Sequence, residues 1–148
     1  MKYQTIPEIV LGETPAINVP ELAVSYNRSK ERLFGKITAS KDAANFIRDT
    51  FSYGEVELQE QFIVLYLNQA NEIIGYYKHS KGAINATVAD TRIILATALK
   101  ALAVSMVIAH NHPSGNLKPS RADEQLTAKI KESAAMMDIK LLDHVIVT

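Results

Sequence analysis

Ile108-Ala109-His110-Asn111-His112-Pro113-Ser114-Gly115, followed two residues later by Lys118-Pro119-Ser120-Arg121-Ala122-Asp123, is the stretch on which the reading of this chain turns. Ser105 to Ala109 is an apolar run of strand length, so His110 and His112 stand two apart at a strand end. Side chains at that spacing leave a strand on one side, and two imidazoles can converge on a single ion. Pro113 and Gly115 shape a turn. Ser120 and Asp123 have the spacing of a capping box, which places Asp123 in the first turn of the next helix. A helix start folded back on the strand end brings that carboxylate to the same point. Two His and one carboxylate form a three-ligand zinc set whose fourth tetrahedral position is left for water, as in a catalytic site. Each piece has an ordinary explanation by itself: surface histidines, a helix cap, a proline-shaped loop. Together, His-x-His and Ser-x-x-Asp at this distance arise by chance on the order of once in several thousand chains of average composition.

Working outward, Leu126, Ile130, Ala134 and Met137 continue the helix as an apolar stripe, and Leu141 to Val147 reads as a last strand. Upstream, Thr87-Val88-Ala89-Asp90 repeats the capping-box spacing. Ile94, Leu95, Ala98, Leu99 and Leu102 then mark one face of a helix ending near Ala103. Phe62 to Leu67 is a continuous apolar run, suited to a strand buried on both faces. Asn68 to Asn71 is a turn, Ile73 to Tyr77 the return strand of a hairpin, and Ser80 to Gly82 the next turn. Ser40 is a candidate N-cap for a helix over 41–51, with Ala43, Phe46, Ile47 and Phe51 at helical spacing and Gly54 ending it. Strands alternating with helices predict an α/β class, a mixed sheet with flanking helices. Residues 1–35, punctuated by Pro7, Gly12, Pro15 and Pro20, read as an N-terminal arm, and 36–148 as the domain. Tyr66, Tyr76 and Tyr77 fill or edge the hairpin. His79 reads as a surface residue. Asn111, pointing away from the two histidines, reads as structural.

The 148 residues, 47% hydrophobic and 22% charged, suit one globular domain. Lys+Arg and Asp+Glu are both 16, which argues against nucleic-acid binding through a general basic surface. With no cysteine, disulfides and thiolate metal sites are excluded. No apolar run approaches the roughly 20 residues that span a bilayer. Met1 to Gly12 lacks the pattern of a signal peptide, so a cytoplasmic protein is expected.

The segment HNHPSGNLKPSRAD (residues 110–123) resembles the JAMM motif as written in the bacterial RadC family. The resemblance extends to Glu60 through Asn68, similar to the family's first core strand. It includes Lys81-Gly82-Ala83, similar to its turn, and Leu142 to Val147, similar to its final strand. It implies a JAB/MPN fold, related in layout to the cytidine deaminase fold, and zinc-dependent hydrolysis of a peptide or isopeptide bond in a peptide or protein substrate. JAMM proteases place a glutamate general base on an upstream strand, and Glu60 matches that position. Glu55, Glu57 and Glu72 are the competing carboxylates, Glu57 the strongest. Ser120 matches the motif serine, whose hydroxyl can donate to a developing oxyanion. Asp143 and His144 are candidates for fixing a ligand imidazole from behind. Longer members of the family carry an N-terminal helix-hairpin-helix-like segment and a C-terminal extension. Here a short arm stands in place of the first, which reduces the case for direct DNA contact, and the last strand stands where the second would begin, which bears on stability more than on the site. The competing functions are a non-catalytic MPN-type interaction module and a DNA-repair-associated accessory protein. Modules of the first kind usually lose metal ligands, and this chain keeps them. Deaminases of related layout use cysteine ligands, absent here.

Overall fold

The computed structural model describes residues 35–51, 55–81 and 89–148. The arm expected over 1–35 (Gly35 apart), the helix stop at Gly54, the cap at Thr87 and the turn residue Gly82 lie outside them. In chain order the elements are α1 (Ser40–Asp49), α2 (Glu55–Leu58), β1 (Gln61–Leu67), β2 (Ile73–Lys81), α3 (Thr91–Lys100), β3 (Ser105–Asn111), α4 (Arg121–Ala135) and β4 (Lys140–Val147). The strands form one sheet in the order β2-β1-β3-β4. β1 is antiparallel to both neighbours, and β3 and β4 run parallel, joined by α4. The expected mixed sheet with flanking helices is therefore present.

Every residue of β1 and β3 is buried, because the sheet is covered on both faces. Phe62, Val64, Tyr66, Met106 and Ile108 pack with Ile94, Ala98, Ile130 and Ala134 of α3 and α4. The alternate residues Ile63, Leu65, Leu67, Val107 and Ala109 pack with Ala43 and Ile47 of α1. The two-residue period of a strand carried one step further sends His110 out on the α3/α4 face and Asn111 out on the α1 face.

β4 contains one extra residue. Met106 pairs with Leu141 but Val107 pairs with Asp143, so Leu142 is bulged out of the ladder. Beyond the bulge His144 pairs with Ile108 and Val145 with Ala109. His144 thereby shares the face of Ile108 and His110. A bulge re-aims side chains in this way. Unbulged, the strand would turn His144 to the α1 side.

Several boundaries differ from expectation. α1 begins at Ser40 itself, with Ala39 in the N-cap position. The Asp42 carboxylate accepts from the Thr38 and Ala39 N–H groups at 2.9 and 3.0 Å and so supplies the capping acceptor. α3 starts after Asp90, whose side chain accepts from Arg92 N–H. The cap is therefore the last residue of the expected box rather than its first. Ser80 and Lys81 extend β2 instead of turning. Leu99, Leu102 and Met137 are exposed, because α3 and α4 end in tight reversals just before β3 and β4. Leu102 and Asp138 have positive φ, and the next residues, Ala103 and Ile139, return bonds to Ala98 and Ala134 carbonyls, the pattern of a Schellman stop. His79 is not a plain surface residue. It is half-buried, and its Nε2 accepts from the Asp90 N–H at 2.7 Å, tying β2 to the start of α3.

Candidate metal centre

His110 is the last but one residue of β3 and is almost wholly buried, 1% exposed. Its ring stacks nearly parallel to Phe62, the residue directly opposite on β1. His112 follows the strand end, its backbone held by a bond from its N–H to the Val147 carbonyl at 3.0 Å. A turn then brings Gly115 N–H back to the His112 carbonyl. Gly115 has φ of 77°, a left-handed conformation that suits glycine. This turn delivers the Asn116 carbonyl to His112 Nδ1. A carbonyl only accepts, so His112 carries its proton on Nδ1 and leaves Nε2 bare when neutral.

Asp123 arrives from α4. Ser120 and Asp123 form the expected capping box: Ser120 Oγ accepts from Asp123 N–H at 3.2 Å, and Asp123 Oδ2 accepts from Ser120 N–H at 2.7 Å. The Ser120 hydroxyl also donates to Asp123 Oδ2 at 2.6 Å. Its single proton is thus directed at the carboxylate.

The three side chains converge. His110 Nε2 and His112 Nε2 are 2.8 Å apart, Asp123 Oδ1 is 3.5 Å from His110 Nε2, and Asp123 Oδ2 is 3.9 Å from His112 Nε2. Among the described residues they form the one group of His and carboxylates whose donor atoms all lie within 4.8 Å of one another. Donors about 2.0–2.1 Å from a tetrahedral zinc lie roughly 3.3–3.4 Å from each other, within the range of the three observed distances. Two imidazole nitrogens and one carboxylate oxygen, with no sulfur, suit zinc with an open position. An open hollow of 680 Å³ adjoins the group, lined by Leu117, Pro119, Asp123, Thr127, His144 and Ile146 among others.

Electrostatics follow from burial. Burial first, and then the neighbouring His144, push the His110 pKa down to about 4. His144 and His79 are also lowered, chiefly by burial. For Asp123 burial acts upward, but the Ser120 hydrogen bonds and the two imidazoles outweigh it and hold the carboxyl below its ordinary value. The sign for stability is direct. A histidine whose folded pKa lies below its unfolded value of about 6.5 takes up its proton more readily when unfolded, so stability falls as pH drops from 6.5 toward the folded pKa. Metal-free protein should therefore lose stability between pH about 6.5 and 4, with His110 alone accounting for about 3 kcal/mol. Urea melts at stepped pH test this; a flat profile across that window contradicts it.

Glu60 is half-buried and immediately precedes β1, two residues before Phe62. Since Phe62 lies opposite His110, strand alternation continued to Glu60 puts it at the same sheet end and on the same face. Glu57 lies in α2 and is exposed, and Glu55 pairs with Lys78 at 3.7 Å. Glu72 accepts from Asn68 at the opposite end of β1.

Asn111 is structural, as expected, and more specifically than expected. Its Oδ1 accepts from Gln61 N–H at 2.7 Å, and its amide donates to the Val56 and Gln59 carbonyls at 2.7 and 2.9 Å. The residue between the two histidines thus clamps the segment that carries Glu60. Asp143 does not join the histidines; it pairs with Val107 on the α1 side. His144 does, with Nε2 at 2.8 Å from His110 Nδ1. Thr127, one helical turn beyond Asp123, contacts His144 Nδ1 at 2.6 Å. No sequence signal marked Thr127 or Asn116, because each acts through one polar atom whose neighbour is set by tertiary folding.

The mixed sheet, the helix-capped carboxylate and the strand-end histidines define a JAB-type α/β domain with a group able to hold a metal ion. Residues 37–148 match the RadC-like JAB domain, and the chain belongs to that family. It is 39% identical over 141 residues to a UPF0758 protein of Flavobacterium johnsoniae, covering 93% of this chain and 60% of the relative. It is 34% identical over 154 residues to one of Streptococcus gordonii (99% and 67%) and 37% over 139 residues to one of Enterococcus faecalis (92% and 59%). The chain thus spans about 60% of the length of the first of these relatives. No helix among the described residues is long and apolar enough to cross a membrane.

Proposed function

We propose that this chain is a zinc-dependent hydrolase of the JAMM type, acting on a peptide or isopeptide bond of a peptide or protein. The observation that carries this reading is the meeting of His110, His112 and Asp123 at one point beside an open hollow. His110, His112 and Asp123 would hold the zinc, which would supply Lewis acidity for the carbonyl under attack and a coordinated water with a pKa lowered toward about 7. The rest belongs to the chain. His110 and His112 present their Nε2 atoms, and burial keeps His110 neutral well below pH 7. Asp123 brings the negative charge, held in place by Ser120. Glu60, at the end of β1, takes the proton of the attacking water and passes it to the leaving amine. The Ser120 hydroxyl serves an oxyanion only by turning from Asp123, so its first task is to orient that ligand. Leu117, Pro119 and Ile146 offer an apolar wall to a substrate side chain.

The test is cleavage of a mixed set of peptides and lysine-linked isopeptides by protein loaded with zinc. Hydrolysis should appear, stop with a chelator and return with one equivalent of zinc. Protein holding one zinc per chain that cleaves none of them contradicts the reading. The same donors also suit iron(II), so elemental analysis of the purified protein should be read for both metals.

A further inference from the structure

Behind His110 lies a chain of polar contacts that the proposed hydrolysis does not use. Thr127 Oγ1 is 2.6 Å from the Asp123 carbonyl and 2.6 Å from His144 Nδ1. His144 Nε2 is 2.8 Å from His110 Nδ1. One starting fact assigns every proton. The Asp123 carbonyl can only accept, so the single Thr127 hydroxyl hydrogen points to it. Thr127 Oγ1 must then accept from His144, which places the His144 proton on Nδ1. His144 Nε2 is left as an acceptor, and the facing His110 Nδ1 must donate to it. A neutral His110 then has no proton on Nε2, the atom 2.8 Å from His112 Nε2. The Asn116 carbonyl imposes the same state on His112 from the other side. Two bare nitrogens aimed at each other across 2.8 Å repel unless a cation lies near both.

We propose that Thr127 and His144 are positioning residues that set the tautomer of His110, holding its proton on Nδ1 so that Nε2 is always free for a metal. Its link to metal binding rests on the zinc reading above; the tautomer itself does not. The device closes on itself. It starts at the backbone of Asp123, passes through α4, β4 and β3, and ends at the point where the Asp123 carboxylate also arrives. The bulge at Leu142 is what puts His144 within it.

The experiment uses metal-free full chain labelled with 15N, at a pH well above the ordinary imidazole value of about 6.5. Long-range 1H–15N spectra distinguish protonated from bare ring nitrogens. In the parent protein His110 and His144 should both be protonated at Nδ1. Thr127→Val is close in shape but removes the acceptor. Its His144 should move the proton to Nε2, and His110 should follow, with its proton on Nε2. Zinc affinity, measured by chelator competition, should fall about 10- to 100-fold. Thr127→Ser should restore both the spectrum and the affinity, which a packing role for the threonine methyl would not do. A parent protein with the His110 proton on Nε2, or a Thr127→Val protein with unchanged tautomers and affinity, overturns the proposal. If the tautomers follow Thr127 while the parent takes up no zinc, the tautomer relay stands and the metal reading alone fails.

Discussion

Asp123→Ala is expected to remove stoichiometric zinc binding. Parent protein should retain about one zinc per chain after dialysis, and the variant close to none. The reason is charge as well as count. Asp123 is the anion of the three-donor group and faces both imidazoles. Without it, two neutral donors must hold a divalent ion by themselves. The loss should exceed the roughly 10- to 100-fold that follows removal of a group behind a ligand. A second, smaller effect accompanies it. The carboxylate also accepts from Ser120 at the start of α4, so the variant should lose about 1 kcal/mol of stability. Asp123→Asn separates the two, since its amide oxygen can still accept at the cap but carries no charge. It should keep most of the stability and lose most of the zinc. Full zinc occupancy in Asp123→Ala would remove the basis for the metal centre.

Glu60→Gln is expected to leave zinc in place and reduce hydrolysis by a factor of about 100 to 10,000, the usual range for a positioned general base. The substitution preserves size and hydrogen-bonding capacity but cannot accept a proton. Glu60 is separated from the three donors in the sequence, yet the pairing of Phe62 with His110 brings the start of β1 to their end of the sheet. Glu57→Gln is the matching comparison. Glu57 is exposed on α2, so activity should survive its change. If Glu57→Gln abolishes turnover and Glu60→Gln does not, the roles are reversed. If Glu60→Gln strips the metal, Glu60 is a ligand and not a base.

Much of this architecture is legible in the sequence because its signals are local. The apolar runs at 62–67 and 105–109 are so continuous that only a strand covered on both sides suits them, and both are central strands. Ser120 and Asp123 sit three residues apart, and that spacing alone describes the cap. The convergence of His110 and His112 follows from strand alternation. What escaped the reading depends on register or on distant partners. The spacing from Thr87 to Asp90 pointed to a box opened by Thr87, whereas Asp90 itself caps α3, and its N–H reaches His79 on β2. Leu99 and Leu102 fit the helical period but lie where α3 unwinds, so periodicity alone assigned them to the core. Asp143 and His144 were indistinguishable as neighbours of a ligand, and only the pairing of β4 with β3 separates them.

Leu142 gives that separation a wider meaning. A polypeptide can keep each histidine, serine and carboxylate of this centre and still be unable to assemble it, because β4 must also be in the right phase. Paired without the bulge, with Leu142 rather than Asp143 opposite Val107, β4 would set Asp143 opposite Ile108 and His144 opposite Ala109. A carboxylate would then take the place that His144 holds beside Ile108, and an imidazole would be pushed into the packing against α1. The phase of β4 ahead of His144 is therefore as much a part of the chemistry as the letters of the motif.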